Sequence, residues 1–542
     1  MEDPEAAAFE LWKGLRPGDA YVSGIDDAGG RLFVPTRDNI RSIRSTLDSI
    51  WRSTLDVSMR SLLRWARCDL DLREPQRPPK DIYRTLVGHI IKGGVHSPLL
   101  HPLIRDSSVY VDHAISDLRI SRWPLEVQFQ TLRTIGSLKD LLSALPLSSL
   151  LKEPVSGLVE KLTAYEELFP IGEIMKASHE EVISALESGE GHVGRGDIYQ
   201  RIIGELYAFP ERTNSLEEAL VLDLYGEIPN FKRIREEMSD LYGTEVDMDD
   251  IDIEMASQRR IRVPEVMEVV ERLREHLNYW AIRSLIDYPH EMDVGVLETP
   301  SYLRSHVADC SMVLMDGLPA KPRTDLLITL DPARYRPFSF PDLVRFLADQ
   351  ELGARAQYLN SYVRPLDPVP GTDLLPDDII SSVSRGFALN RQLDVLGMFK
   401  DMSARRPELM KAEKYLVDHI EEVCTLEELT ADLDFLVTKE RMMSLIKAVA
   451  DVRLNSGKQS IPEFMRWAHI ITGIREPILF EAIMEAVSRP GFQAVSMSLS
   501  SGLRELSEIM LNKGVSLIDF NTHSTRMGFP SWRYLRERIL EI

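Results

Sequence analysis

Apolar residues in this chain return every three or four positions over most of its length, and that period commits it to helices. Ile82, Leu86, Ile90 and Ile91 make one stripe, and Leu125, Phe129, Leu132, Ile135 and Leu138 make another. Val266, Val269, Val270, Leu273 and Leu277 repeat the pattern. Side chains so spaced share one face of a helix, and that face must be buried against something. Asn39 to Leu70, Asp140 to Leu151, Leu158 to Leu168 and everything from Ile379 onward read the same way. Breaks fall at Arg73–Pro79, Gly93-Gly94, Pro154 and Pro170. The Gly-rich run Gly189–Gly196 follows no β run and has no Lys-Ser/Thr tail, so it reads as a connector and not a phosphate loop.

One region departs from the pattern. Asp293-Val-Gly-Val-Leu-Glu-Thr-Pro300 and Thr324-Asp-Leu-Leu-Ile-Thr-Leu330 alternate or run in β-branched and apolar residues, which predicts two strands. The expected fold is mostly α, with one small β sheet near residues 293–331. An N-terminal helical part, 1–262, and a C-terminal part, 263–542, are expected to pack as one continuous unit.

Charge narrows the partners. Lys and Arg number 64 against 85 Asp and Glu, a net charge of −21, which disfavours a nucleic-acid role because phosphate backbones need a basic surface. Three cysteines, Cys68, Cys310 and Cys424, lie far apart and form no CxxC pair. The acidic start Met-Glu-Asp-Pro-Glu lacks the basic and apolar regions of a signal peptide, and no run of about 18 apolar residues suggests a membrane span. These features together predict a cytoplasmic protein, off the membrane.

Motifs for chemistry are incomplete. His179-Glu180 and His290-Glu291 begin an HExxH pattern, but Ile183 and Val294 stand where its second histidine would be. His89, His96, His101 and His113 are separated by Gly93-Gly94 and Pro98, so no helical ligand pair forms and hydrogen bonding in the core is expected. His306 and Cys310 have the spacing of a nucleophile and base on a helix, without a third orienting group. The acidic run Asp247–Glu254 lacks the glycine of a calcium loop and reads as a loop or helix start. No Gly-x-Ser-x-Gly elbow occurs.

Five segments occur in one order: Ala20-Tyr-Val-Ser-Gly-Ile25, Val294-Gly-Val-Leu-Glu-Thr-Pro-Ser-Tyr-Leu303, Ser384-Arg-Gly-Phe-Ala-Leu389, Arg489-Pro-Gly-Phe-Gln-Ala494 and Phe520-Asn-Thr-His-Ser-Thr-Arg-Met-Gly-Phe-Pro530. Together they resemble the DUF 885 family, whose better-understood members look like helical zinc peptidases or amidohydrolases. The resemblance implies a zinc-peptidase-like architecture, two helical parts flanking a deep cleft. It also implies that the helical stretch Pro341–Leu359 stands where the family carries its metal helix, roughly His-Glu-Ala-Tyr-Pro-Gly-His-His-Leu-Gln.

This chain departs from that pattern at the ligands. Anchored on Gly353 and Gln357, Ala348 and Asp349 take the places of the first histidine and the glutamate, and Ala354 and Arg355 those of the later histidines. Shifting the register by one offers Asp349 and Gln350 instead. Arg385 falls at the downstream ligand glutamate, Ser496 near the tyrosine after Pro-Gly, and Asn521 at the closing histidine, with His523 close by. Alanine has no lone pair to give, and a guanidinium is a permanent cation with donors only. At about 4 Å and an effective dielectric near 20, each pair of unit charges is worth about 4 kcal/mol, here repulsive toward a metal.

The expectation is a non-catalytic homologue with no zinc and no cofactor, binding a peptide, small ligand or protein partner in its cleft. Arg385 would replace the metal by pairing with Asp349 or Glu351. Asp349, Glu351, Gln357, Tyr358, Arg385, Arg504 and His523 are the cleft candidates. An active metal-dependent hydrolase with a rearranged site, and a structural subunit of a complex, are the alternatives.

Overall fold

A 30-residue helix, Leu426–Asn455, is buried on nearly every side by the helices packed around it. Its start is specified locally: Thr425 Oγ1 accepts from the Glu428 N–H at 3.2 Å while the Glu428 carboxylate accepts from the Thr425 N–H at 2.9 Å. Leu433, Leu436, Leu445, Ile446, Ala448 and Ala450 place apolar groups around its circumference, as a helix inside a core requires. Helices Thr213–Tyr242, Asp377–Ala404, Glu476–Ser488 and Phe492–Asn512 pack against it. In this computed structural model the described residues are 4–22, 24–53, 57–73, 79–116, 118, 125–169, 196–290, 292, 294–316, 323–330, 338–363, 365, 377–404, 418, 420, 423–528 and 532–541. Among them the buried apolar side chains form one connected core from Ala8 to Ile539.

The chain is mostly α-helical with one small sheet, as the periodicity indicates. The sheet holds three strands: β1 Val296–Glu298, β2 Cys310–Asp316 and β3 Arg323–Ile328. β3 is central, parallel to β1 with Val296 opposite Leu326, and antiparallel to β2 with Cys310 opposite Ile328. The two predicted strands are therefore present and β2 is an addition. Cys310 opens that strand, so His306 and Cys310 are not a helical pair. His306 Nδ1 instead lies 3.0 Å from the Tyr83 hydroxyl, and burial pushes the Cys310 thiol far above its ordinary range.

The predicted helix over Asn39–Leu70 is two helices, Arg37–Ser53 and Val57–Arg73. Asp247 caps the helix Met248–Gln258 by accepting from the Asp249 N–H at 2.9 Å, which makes the acidic run a helix start. His179-Glu180 and nearly all of the Gly-rich connector lie outside the described residues.

Candidate functional site

Ser339 starts the helix expected at the centre of the molecule. Its hydroxyl accepts from the Asp342 N–H at 3.3 Å, and Pro341 sits in the first turn, where no N–H is needed. The helix runs as α over Phe340–Asp349, widens to a π turn over Gln350–Arg355, and resumes as α over Ala356–Val363. Such turns add a residue to the helical ring and are frequent at functional sites. Gly353 lies in the turn, and a Cβ there would fall 2.7 Å from the Ala388 Cα, so only glycine allows the helix Asp377–Ala404 to approach this closely. Gly386 does the same on that helix's other side, against Leu499 and the Ser496 carbonyl. The Arg385-Gly386-Phe387-Ala388 segment is thus a packing device with Arg385 at its start.

That packing places Arg385 beside Asp349. Arg385 Nη1 donates to Asp349 Oδ1 at 2.8 Å, and Nη2 donates to Glu440 on the central helix. Gln392 donates to the same Asp349 oxygen at 2.7 Å, and Gln350 donates to the other at 2.7 Å. The Gln350 side-chain Oε1 accepts from the Met312 N–H at 2.8 Å, which ties the cluster to β2. Burial alone would raise the Glu440 carboxyl, but Arg385, Arg345 and Lys447 outweigh it and hold that carboxyl down at about 2. Burial works against the Arg385 charge too, and Asp349 and Glu440 more than offset it, raising its pKa.

Glu351 takes a different partner. Arg355, one helical turn on, donates from Nη1 at 2.6 Å. Asn278 donates to the same oxygen at 3.0 Å, with the Tyr288 hydroxyl at 2.9 Å. Arg274 Nε stands 3.3 Å from the other oxygen. Arg355 is 0% exposed and Glu351 1%, so this is a sealed ion pair. The rest of the Arg355 fork is spent on Thr324 Oγ1 of β3 at 2.9 Å and the Met292 carbonyl at 2.8 Å.

The remaining named residues scatter around this pair of clusters. Gln357 is buried and donates to the Gly528 carbonyl at 2.7 Å, and Tyr358 packs its ring 4.5 Å from that of Tyr362. Asn521 accepts from Arg391 at 2.5 Å and donates to the Leu285 carbonyl at 3.0 Å. Ala348 is buried and Ala354 half-buried. Arg504 is exposed, with Glu508 of its own helix 3.7 Å away. His523 is half-buried, and burial with Arg526 and Arg538 lowers its pKa. His89 is a core residue: Nε2 accepts from the Gly30 N–H at 2.9 Å, Nδ1 donates to the Thr85 carbonyl at 2.8 Å, and the ring stacks on Tyr21 at 4.3 Å.

Asp451 was not foreseen. It accepts from the Gly491 and Ala494 N–H groups at 2.8 and 3.1 Å, from Asn455 at 2.9 Å and from the Tyr199 hydroxyl at 3.1 Å. It therefore caps the helix that follows the Pro490-Gly491 turn, where Gly491 has φ +88°. Burial pushes its carboxyl up to about 6 against those four donors.

A cleft of about 970 Å³ lies nearby, lined by residues of the helices Lys80–Gly93, Leu125–Ala144 and Glu476–Ser488 among others. None of the seven cleft candidates lines it. The connection runs through charge: Lys447, on its wall, acts on Glu440, and Glu485, also on its wall, acts on Arg385. Lys447 and Glu485 pair at 2.6 Å. Among the described residues the lining carries six cations, Arg16, Lys80, Arg84, Arg133, Lys447 and Arg489, and four carboxylates, Asp69, Asp81, Glu481 and Glu485.

The positions aligned with a metal site do not fit a zinc ion. Ala348 and Ala354 offer no donor, and the one carboxylate, Asp349, faces a guanidinium at 2.8 Å. Among the described residues no group of three or more His, Cys, Asp or Glu side chains is arranged to hold a metal. No helix among them is long and apolar enough to cross a membrane.

No family model and no curated protein matches the chain. Two solved structures share its fold end to end. A presumed lipoprotein of unknown function from Shewanella oneidensis superposes with a TM-score of 0.65 at 12% identity, over 99% of this chain and 98% of its own. A presumed lipoprotein from Colwellia psychrerythraea gives 0.58 at 12% identity over the same shares. At that identity the likeness speaks for the fold alone.

It nevertheless corrects the expectation of a cytoplasmic, peptidase-like protein, since these two proteins of the same fold are described as lipoproteins. The cysteine argument fails for a physical reason. Cys68, Cys310 and Cys424 are free and buried, so their state follows from packing and not from the redox poise of a compartment.

Proposed function

We propose that this protein is non-catalytic and binds a peptide or small ligand in its cleft. The observation that carries the reading is the state of Asp349. Its two oxygens accept three hydrogen bonds, from Arg385, Gln392 and Gln350, and the nearest charge is a cation. A carboxylate engaged in this way is a structural cross-link between helices. The Arg385 guanidinium pairs with Asp349 and not with Glu351. Beside this closed centre the cleft remains open, at the upper end of the volumes typical of ligand pockets.

The test is metal content of the purified protein together with a screen of peptide, amide and ester hydrolysis, with and without a chelator. The expected result is metal well below one equivalent and no chelator-sensitive turnover. Stoichiometric zinc with hydrolysis abolished by the chelator overturns the reading.

A further inference from the structure

We propose that the Arg133–Glu481 ion pair and the Gln130–Met484 hydrogen bond form a clasp at the edge of the cleft, whose release opens the cleft to a ligand. This goes beyond the binding role above and does not depend on what is bound. The clasp is built from two helical faces. Gln130, Arg133 and Thr134 recur at three- and four-residue spacing on the helix Leu125–Ala144, and Glu481, Met484, Glu485 and Ser488 do so on Glu476–Ser488. All of them line the cleft.

The two faces meet in two bonds. Arg133 Nη2 donates to Glu481 Oε2 at 2.6 Å, and Gln130 Nε2 donates to the Met484 carbonyl at 3.1 Å. The partners stand 348 and 354 residues apart in sequence, so the clasp joins parts of the chain that no short connection holds together.

Exposure puts this contact at the edge and not on the floor. The Arg133 and Glu481 side chains are 46% and 61% exposed, whereas Tyr110 and Tyr207 of the same lining are each 3% exposed. An ion pair so exposed holds weakly and is screened by salt. The helices it joins are seated more firmly. Leu125–Ala144 buries Leu132, Ile135, Leu138 and Leu141 and packs on Lys80–Gly93 and Ser149–Glu166. Glu476–Ser488 buries Leu479, Ile483 and Ala486 and packs on the central helix and Ile461–Thr472. Apolar burial holds each helix in its own neighbourhood, which leaves the exposed clasp as the contact that yields first.

Ala482 reports on that event. It lines the cleft one residue beyond Glu481 and is 4% exposed, so a thiol placed there is shielded until the edge opens. The native Cys68, Cys310 and Cys424 are buried, which keeps the background low.

Maleimide labelling of Ala482→Cys in the full chain, followed by intact mass, tests the clasp. Labelling is expected to be slow at low salt and to speed up about two- to fivefold in high salt, the worth of one exposed ion pair. Arg133→Gln is expected to give the same gain at low salt and to remove the salt dependence, and adding Gln130→Met to raise the rate further. The three native cysteines are expected to stay unlabelled throughout. Thermal melts check each variant, and Met443→Cys, from the central helix in the same lining, serves as the second probe where Ala482→Cys is destabilised. Labelling at the rate of a free thiol from the outset overturns the clasp, because the edge is then already open. A rate that neither salt nor Arg133→Gln changes overturns it as well. Equal gains at the native cysteines do the same, since the whole fold and not the edge has then loosened. Each of these outcomes leaves the binding role standing.

Discussion

Two carboxylates two residues apart on one helix have met opposite solutions. Glu351 is neutralised locally, by Arg355 one turn away, inside a sealed pocket roofed by β3. Asp349 is neutralised from afar, by Arg385 on another helix, and that guanidinium also holds Glu440 on the central helix. The first pair stiffens one helix against the sheet. The second joins three helices and touches the charges of the cleft wall. A buried pair is costly to break because its survivor is left charged without water, whereas a pair with some solvent access relaxes. The difference marks Glu351–Arg355 as foundation and Asp349–Arg385–Glu440 as the part coupled to the charges of the cleft wall.

The comparison breaks first at Arg355. Arg355→Met strands the Glu351 carboxylate and is expected to lower unfolding free energy by about 3–5 kcal/mol, read by denaturant titration. A loss below about 1 kcal/mol, the level of an exposed pair, would show that the sealed pair is not the foundation it is taken for. Arg385→Gln should cost less, about 1–3 kcal/mol, because its side chain is 26% exposed and water can reach the carboxylates it leaves. A double-mutant cycle with Asp349→Asn isolates the coupling, expected to be favourable and above about 0.5 kcal/mol.

The smallest effect is in pH. The Glu440 carboxyl sits below its ordinary value when folded, so its contribution is complete above about 4.5 and disappears as pH falls through about 2. Arg385→Gln should flatten that part of the stability profile, whereas Arg355→Met should leave its slope intact. Equal flattening by both would merge the two regions into one electrostatic unit.

The helical stretch Pro341–Leu359 was legible through the motif it resembles, and two of the three strands through the local run of β-branched and apolar residues. The Arg385–Asp349 contact was legible as one of two pairings, since a buried carboxylate asks for a cation. Glu440 was not, because it lies 55 residues from Arg385 with no pattern linking them. β2 was missed because Cys310-Ser-Met-Val-Leu-Met-Asp316 has neither clean alternation nor β-branched enrichment. Arg355 was seen as a lost histidine, while its pairing with Glu351 follows from the i, i+4 spacing and was within reach. The cleft lining draws on helices from both halves of the chain, which periodicity alone cannot assemble. Cysteine count misled about compartment, since burial explains it equally well.

The π turn has a consequence for counting. Each turn of an α-helix advances about 100° per residue, so a ring widened by one residue rotates everything beyond it by about that angle. Residues before Gln350 and after Arg355 therefore belong to two helical wheels out of phase with each other. Counting back from Gln357 on a regular wheel lands one place away from the side chain that faces the neighbour. That is the same single place by which Asp349 and Gln350 compete for one position in the sequence, and in the folded chain they resolve it jointly, Gln350 donating its amide to Asp349.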